Sequence, residues 1–185
     1  MKESGDCGSC KECQERYVFW NFFFPLRLRG AREKELFQNC KFENQKLLCR
    51  FFSLGLWRVF RLLSSNPPDA IAIVPSERKR GLNPFHPTCV LVQRLRRKWK
   101  GVKTLSLEKH SKTKQSSVAY EKRFFHAKSA FLVGKKDRMI AGRHILLIDD
   151  ISTTGASLNE LAKQLVEKGA KRVSCVVLLL SEGYK

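Results

Sequence analysis

The sequence predicts an α/β domain, a parallel sheet flanked by helices, with a helical N-terminal extension that begins in a cysteine cluster. Three observations lead there. The continuous apolar runs ILLI at 145–148 and VSCVVLLL at 173–180 suit strands buried on both faces, as in a parallel sheet. From residue 69 onward such short strands alternate with helical stretches, the signature of an α/β layer structure. The breaker cluster SSNPPD at 64–69 separates that pattern from an aromatic, basic segment before it. The chain therefore divides into 1–16, polar and cysteine-rich; 17–66, basic, aromatic and helical; and the α/β domain at 67–185.

In chain order, residues 17–26 are apolar but interrupted by Asn21 and Pro25. Residues 44–63 place Leu47, Leu48, Phe51, Phe52, Val59 and Leu63 at helical spacing, which predicts a buried amphipathic helix. Strands are expected at 70–74, 131–133, 145–148 and 173–180. Helices are expected at 86–99, 117–127 and 156–168, the last ended by Gly169 with Lys163 and Lys168 near its C-terminus. Residues 105–117 are poor in apolar side chains and rich in Lys, Ser and Thr, which predicts a long mobile loop.

Of 185 residues, 36 are Lys or Arg and 17 are acidic, a formal charge of +19. So basic a chain predicts a polyanionic partner: nucleic acid, phosphates or an anionic membrane surface. No apolar stretch reaches the roughly 18 residues of a membrane-spanning helix. The first ten residues carry no signal-peptide core, so a cytoplasmic location is expected. Seven cysteines, an odd number without an export signal, favour metal ligands or reduced thiols over disulfides.

Residues 144–158, HILLIDDISTTGASL, carry the chemistry. An apolar strand ends at Asp149 and Asp150, a hydroxyl- and glycine-rich turn follows, and a helix begins. Ligands of open α/β sheets sit at the carboxyl ends of strands. Unpaired N–H groups at the helix start, close approach at Gly155 and several hydroxyls make a cradle for a phosphate monoester. The two carboxylates accept hydrogen bonds from a vicinal diol or stand beside hydrated magnesium. A sugar phosphate satisfies both halves. The chain lacks a G-x-x-x-x-G-K-S/T loop, which argues against a nucleoside triphosphatase.

LLIDDISTTGAS resembles the phosphoribosyl-pyrophosphate (PRPP) motif of type I phosphoribosyltransferases. The segments KELFQNCKFENQKLLCRFFSLGL at 34–56, VPSERKRGLN at 74–83 and KQSSVAYEKRFFHAKSAFLV at 114–133 extend the likeness to the ComF-type branch associated with DNA uptake and competence. The resemblance implies the type I phosphoribosyltransferase fold. It gives Asp149 and Asp150 the ribose hydroxyls and Mg-bound PRPP. It gives Thr153, Thr154, Gly155, Ala156 and Ser157 the 5-phosphate, and the turn Ser76, Glu77, Arg78, Lys79 and Arg80 the pyrophosphate. By the same resemblance the loop at 105–117 closes over the site, and a dimer is expected. The implied activity is transfer of a 5-phosphoribosyl group to a base or amine. The alternatives are a non-catalytic PRPP- or nucleotide-binding module that binds single-stranded DNA, and a membrane-surface accessory of the uptake machinery. The family's usual Asn in the third segment is His126 here, and Asn83 is followed by Pro84 and Phe85. Purine-salvage relatives place an Asp where this chain has Thr153, and threonine is no general base at neutral pH. Ammonia-type or orotate-type chemistry, or no transfer, remains.

Cys7, Cys10 and Cys13 form two overlapping C-x-x-C units. They either hold one zinc ion, which needs a fourth ligand such as Cys40 or Cys49, or are free thiols. The ComF likeness implies a remnant of a zinc ribbon. Cys40, Cys49, Cys89 and Cys175 also fit small core residues. His86, His110 and His126 read as surface residues or as neighbours of the site. Between residues 76 and 114 there are 12 Lys or Arg and 2 acidic residues. The densest part, Arg94, Arg96, Arg97, Lys98 and Trp99, suits single-stranded DNA through phosphate attraction and base stacking, or else is the wet face of a helix.

Overall fold

The computed structural model describes residues 18–42, 55–75, 86–109, 131–133 and 137–181. In chain order the elements are β1 (Phe22–Arg29), α1 (Ala31–Phe42), α2 (Leu56–Leu63), β2 (Ala70–Ile73), α3 (Pro87–Lys98), β3 (Lys103–Leu105), β4 (Leu107–Lys109), β5 (Phe131–Val133), β6 (His144–Ser152), α4 (Ala156–Glu167) and β7 (Arg172–Ser181). Five strands form one parallel sheet in the order β1-β7-β6-β2-β3. β4 and β5 pair antiparallel in a second, two-stranded sheet.

The period-2 alternation of strand side chains splits the core into two layers. On one face Ile145, Leu147, Val173, Cys175 and Val177 pack against Leu158, Leu161, Ala162 and Leu165 of α4. On the other, Ile71, Leu146, Ile148, Val176 and Leu178 pack against Leu91 and Leu95 of α3 and Val59 and Leu63 of α2. This two-sided cover is why ILLI and VSCVVLLL read as unbroken apolar runs. Gly169 (φ +84°) ends α4, and the Ala170 N–H bonds the Leu165 carbonyl over it, as the Gly-Ala step predicts.

Three expectations are corrected. Residues 17–66 are not wholly helical, because Phe22–Arg29 is an edge strand parallel to β7. Pro25 is tolerated there because an edge strand is bonded on one side only. Asn21 docks the strand: its amide N–H bonds the Val173 carbonyl at 2.8 Å, and its Oδ1 accepts from Val173 N–H at 3.0 Å. The helix expected at 44–63 does not run through Gly55: α2 starts after it, and residues 44–54 lie outside the described residues. The loop expected at 105–117 contains the end of β3 and all of β4. Leu105 and Leu107, alternating with polar neighbours, are buried. The helix expected at 117–127 lies outside the described residues.

Candidate functional site

β6 runs past its apolar core through Asp149 and Asp150 to Ser152, so the carboxylates stand on the strand rather than in a loop. Both are partly buried, and each braces the backbone after it. Asp149 Oδ1 accepts the Asp150 N–H at 2.8 Å, and Asp150 Oδ1 accepts the Ile151 N–H at 2.7 Å. These bonds fix two adjacent carboxylates at the carboxyl end of the central strand.

The turn from β6 into α4 passes through Gly155 at φ +70°, the left-handed region that a Cβ disfavours. Gly155 is also the N-cap, and α4 has no side-chain cap from it. The Thr154 hydroxyl accepts the Ala156 N–H at 3.3 Å, and Asn159 N–H makes the first helical bond to the Gly155 carbonyl. The amides of the first turn therefore face the turn, with the positive end of the helix dipole behind them. A cleft of about 420 Å³ opens there, lined by Asp149, Ser152, Gly155 and Ser157 and closed on one side by Arg29. The structure thus brings Asp149 and the predicted 5-phosphate residues together around one cavity, while Asp150 lies outside its lining and faces His86. Beneath it Cys175 is fully buried; burial, and after it the Asp149 charge, push its thiol well above the usual range, so it is a neutral spacer.

Of two further residues here, the sequence reading placed His86 at the surface or beside the site, and it stands beside Asp150; Arg29 it gave no role. His86 caps α3: its Nδ1 lies 2.7 Å from Thr88 Oγ1 and accepts the Thr88 N–H at 3.4 Å. That places the ring proton on Nε2, which faces Asp150 Oδ2 at 3.8 Å. An edge-on contact with the Phe37 ring steadies it. Arg29, the last residue of β1, has a buried Nε with no hydrogen bond among the described residues, and Ser152 Oγ is in the same condition. The signal for Arg29 was the Leu26-Arg27-Leu28-Arg29 alternation of a strand end.

The other predicted residues fare differently. Ser76, Glu77, Arg78, Lys79 and Arg80, and the cysteines Cys7, Cys10 and Cys13, lie outside the described residues. Among the described residues no group of three or more His, Cys, Asp or Glu could hold a metal ion. Arg96, Arg97 and Lys98 are exposed on α3 and Arg94 is half-buried. Arg96 and Arg97 line a groove of about 760 Å³, and Lys98 a cleft of about 450 Å³ with Lys100, Lys103, Arg138 and Arg143. Both lie at the amino ends of the strands, away from Asp149 and Asp150. Trp99 is corrected as a base-stacking residue. It is 7% exposed and stacked on Phe60 at 5.6 Å in the core, where no base can reach its face.

The strand–turn–helix geometry, the sheet order and the family comparison agree. Residues 88–184 match the family model described as a phosphoribosyl transferase domain, and the chain belongs to that family. More particularly, it is similar to Competence protein F of Haemophilus influenzae, 27% identical over 90% of this chain and 75% of the relative, in keeping with the ComF-type likeness. Two structures of Trypanosoma cruzi hypoxanthine phosphoribosyltransferase share the fold at a TM-score of 0.51. One, complexed with the product IMP, is 15% identical over 73% of this chain and 74% of that one. The other is 14% identical over 74% and 66%. No helix among the described residues is long and apolar enough to cross a membrane.

Proposed function

We propose that the cleft binds PRPP and that the protein transfers its 5-phosphoribosyl group to a nitrogen base or amine. The observation that supports this most is the end of β6: two braced carboxylates followed within one turn by a helix start whose N-cap is a left-handed glycine. The amides after Gly155 and the hydroxyls of Thr153, Thr154 and Ser157 would take the 5-phosphate, which suits the positive end of a helix. Asp149 and Asp150 would orient the ribose diol by accepting its hydrogen bonds.

Adjacent carboxylates are hard oxygen donors that suit a magnesium ion retaining its waters, so Asp149 and Asp150 would hold that ion's hydration shell beside the substrate. Bound there, magnesium would supply positive charge against the departing pyrophosphate. In the transfer, the acceptor nitrogen donates its lone pair to C1 as the C1–O bond to pyrophosphate breaks. Pyrophosphate leaves with that bonding pair, and the nitrogen's proton passes to solvent. Thr153 offers no base for that proton at neutral pH, which disfavours an acceptor that needs one at this position.

The name of the bacterial relative, together with the +19 charge and the basic grooves at the far end of the sheet, supports a role beside DNA uptake. Incubating the protein with PRPP, magnesium and a panel of bases and amines tests the transfer. Magnesium-dependent pyrophosphate release that one acceptor accelerates is the expected result. Tight PRPP binding with no release in any mixture would leave a binding module instead.

A further inference from the structure

The end of β6 has three neighbours. One is the start of α4, which suits the 5-phosphate. The second, outside the lining of the cleft, is the side of β2 and α3, from which His86 faces Asp150 at 3.8 Å; the turn after β2 is where the pyrophosphate is expected. The third is the β7–β1 side, and Arg29 stands on it, paired in register with Ser181 one step beyond the Ser152–Leu180 pair. Displacement at C1 brings the nucleophile in opposite the leaving group. With pyrophosphate on the β2 side of β6, the acceptor must enter from the β7–β1 side.

Arg29 is the one cationic side chain among the described residues that line this cleft. Its Nε is buried without a hydrogen bond among the described residues, and Ser152, 3% exposed and lining the same cleft from β6, holds a buried Oγ in the same condition. A buried polar group left without its hydrogen bond costs stability, so two such groups lining one cleft point to a ligand that completes them. A guanidinium matches a carboxylate through two parallel N–H···O bonds, which a neutral amide cannot reproduce.

Resting on the PRPP reading above, we propose that Arg29 is the acceptor-recognition residue, and that the acceptor is a nitrogen compound bearing a carboxylate. The edge strand that carries Arg29 therefore ties the N-terminal segment to substrate choice.

Matched pairs test this on the full chain saturated with Mg-PRPP: nicotinate against nicotinamide, orotate against uracil, anthranilate against aniline, each followed by calorimetry. At least one carboxylate should bind tenfold or more tightly than its neutral match. Arg29→Gln should abolish that preference while changing Mg-PRPP affinity less than twofold, and Arg29→Lys should keep a reduced preference. Melting curves confirm that both variants fold. Equal or tighter binding of every neutral partner, or no binding by any carboxylate, overturns the proposal. So does a tenfold loss of Mg-PRPP affinity in Arg29→Gln, which would assign Arg29 to the 5-phosphate. Failure of the unaltered protein to bind Mg-PRPP at all instead overturns the reading beneath it.

Discussion

Asp149, Asp150 and Gly155 announce themselves in the sequence because a strand end, an acidic pair and a glycine turn are contiguous. Arg29 does not, because its place depends on which strands become neighbours, and for the same reason the sequence left His86 open between the surface and the neighbourhood of the site. Gly155 carries a direct test. At φ +70° an L-residue costs roughly 1–2 kcal/mol, so Gly155→Ala should lower unfolding free energy by about that much in a urea titration and weaken phosphate binding with it. A variant as stable as the parent would mean the turn relaxes easily. His144 gives a pH signature at the other end of β6. Its Nε2 lies 2.8 Å from Ser174 Oγ. Burial first, then the Arg172 charge, lower its pKa, outweighing the carbonyls of Pro67 and Asn66 and the Asp69 carboxylate. The unfolded chain thus binds the proton more readily. The contribution of His144 is complete above the ordinary histidine value of about 6.5 and is lost as pH falls through that value toward the folded one. His144→Gln should flatten the loss of stability below about pH 6.5; an unchanged acid limb would contradict this.

At the scale of elements, the β6–turn–α4 unit and β7 were legible because both faces of these strands are covered and the helix keeps its apolar period. β1 was hidden by Asn21 and Pro25, read as interruptions, although one is the strand's docking residue and the other fits an edge. β3 and β4 were hidden by their three-residue length and by flanking lysines. α3 was read correctly as an element, but the inward turn of Trp99 was not, since an aromatic among arginines suits either a nucleic acid or a core. Packed on Phe60 beside α2, Trp99 should cost about 3–5 kcal/mol of stability when changed to Ala. Trp99→Phe should leave single-stranded DNA affinity within twofold of the parent. A selective loss of DNA binding in a stable Trp99→Phe protein would restore the stacking role.

For the whole molecule, net charge was the broadest legible signal and the least specific. The sheet separates two regions that the sequence could not: a small cleft at the strands' carboxyl ends, and basic grooves at their amino ends. The positions of Arg96, Arg97, Lys98 and Lys103 predict that changing all four to Ala reduces the slope of log affinity against log salt for single-stranded DNA. The expected reduction is about 0.7 for each phosphate that is no longer neutralised, with Mg-PRPP binding unaltered. A slope that does not move would place any DNA-binding surface elsewhere.

The central claim is that the end of β6 and the start of α4 form a PRPP site. Calorimetric titration of PRPP with magnesium into the parent protein and into the folded Asp149→Asn, Asp150→Asn double variant tests it most directly. A PRPP site there predicts saturable one-to-one binding by the parent and at least a tenfold loss in the variant, about 1.4 kcal/mol. Equal affinity in the two proteins, or no binding by the parent, would contradict it.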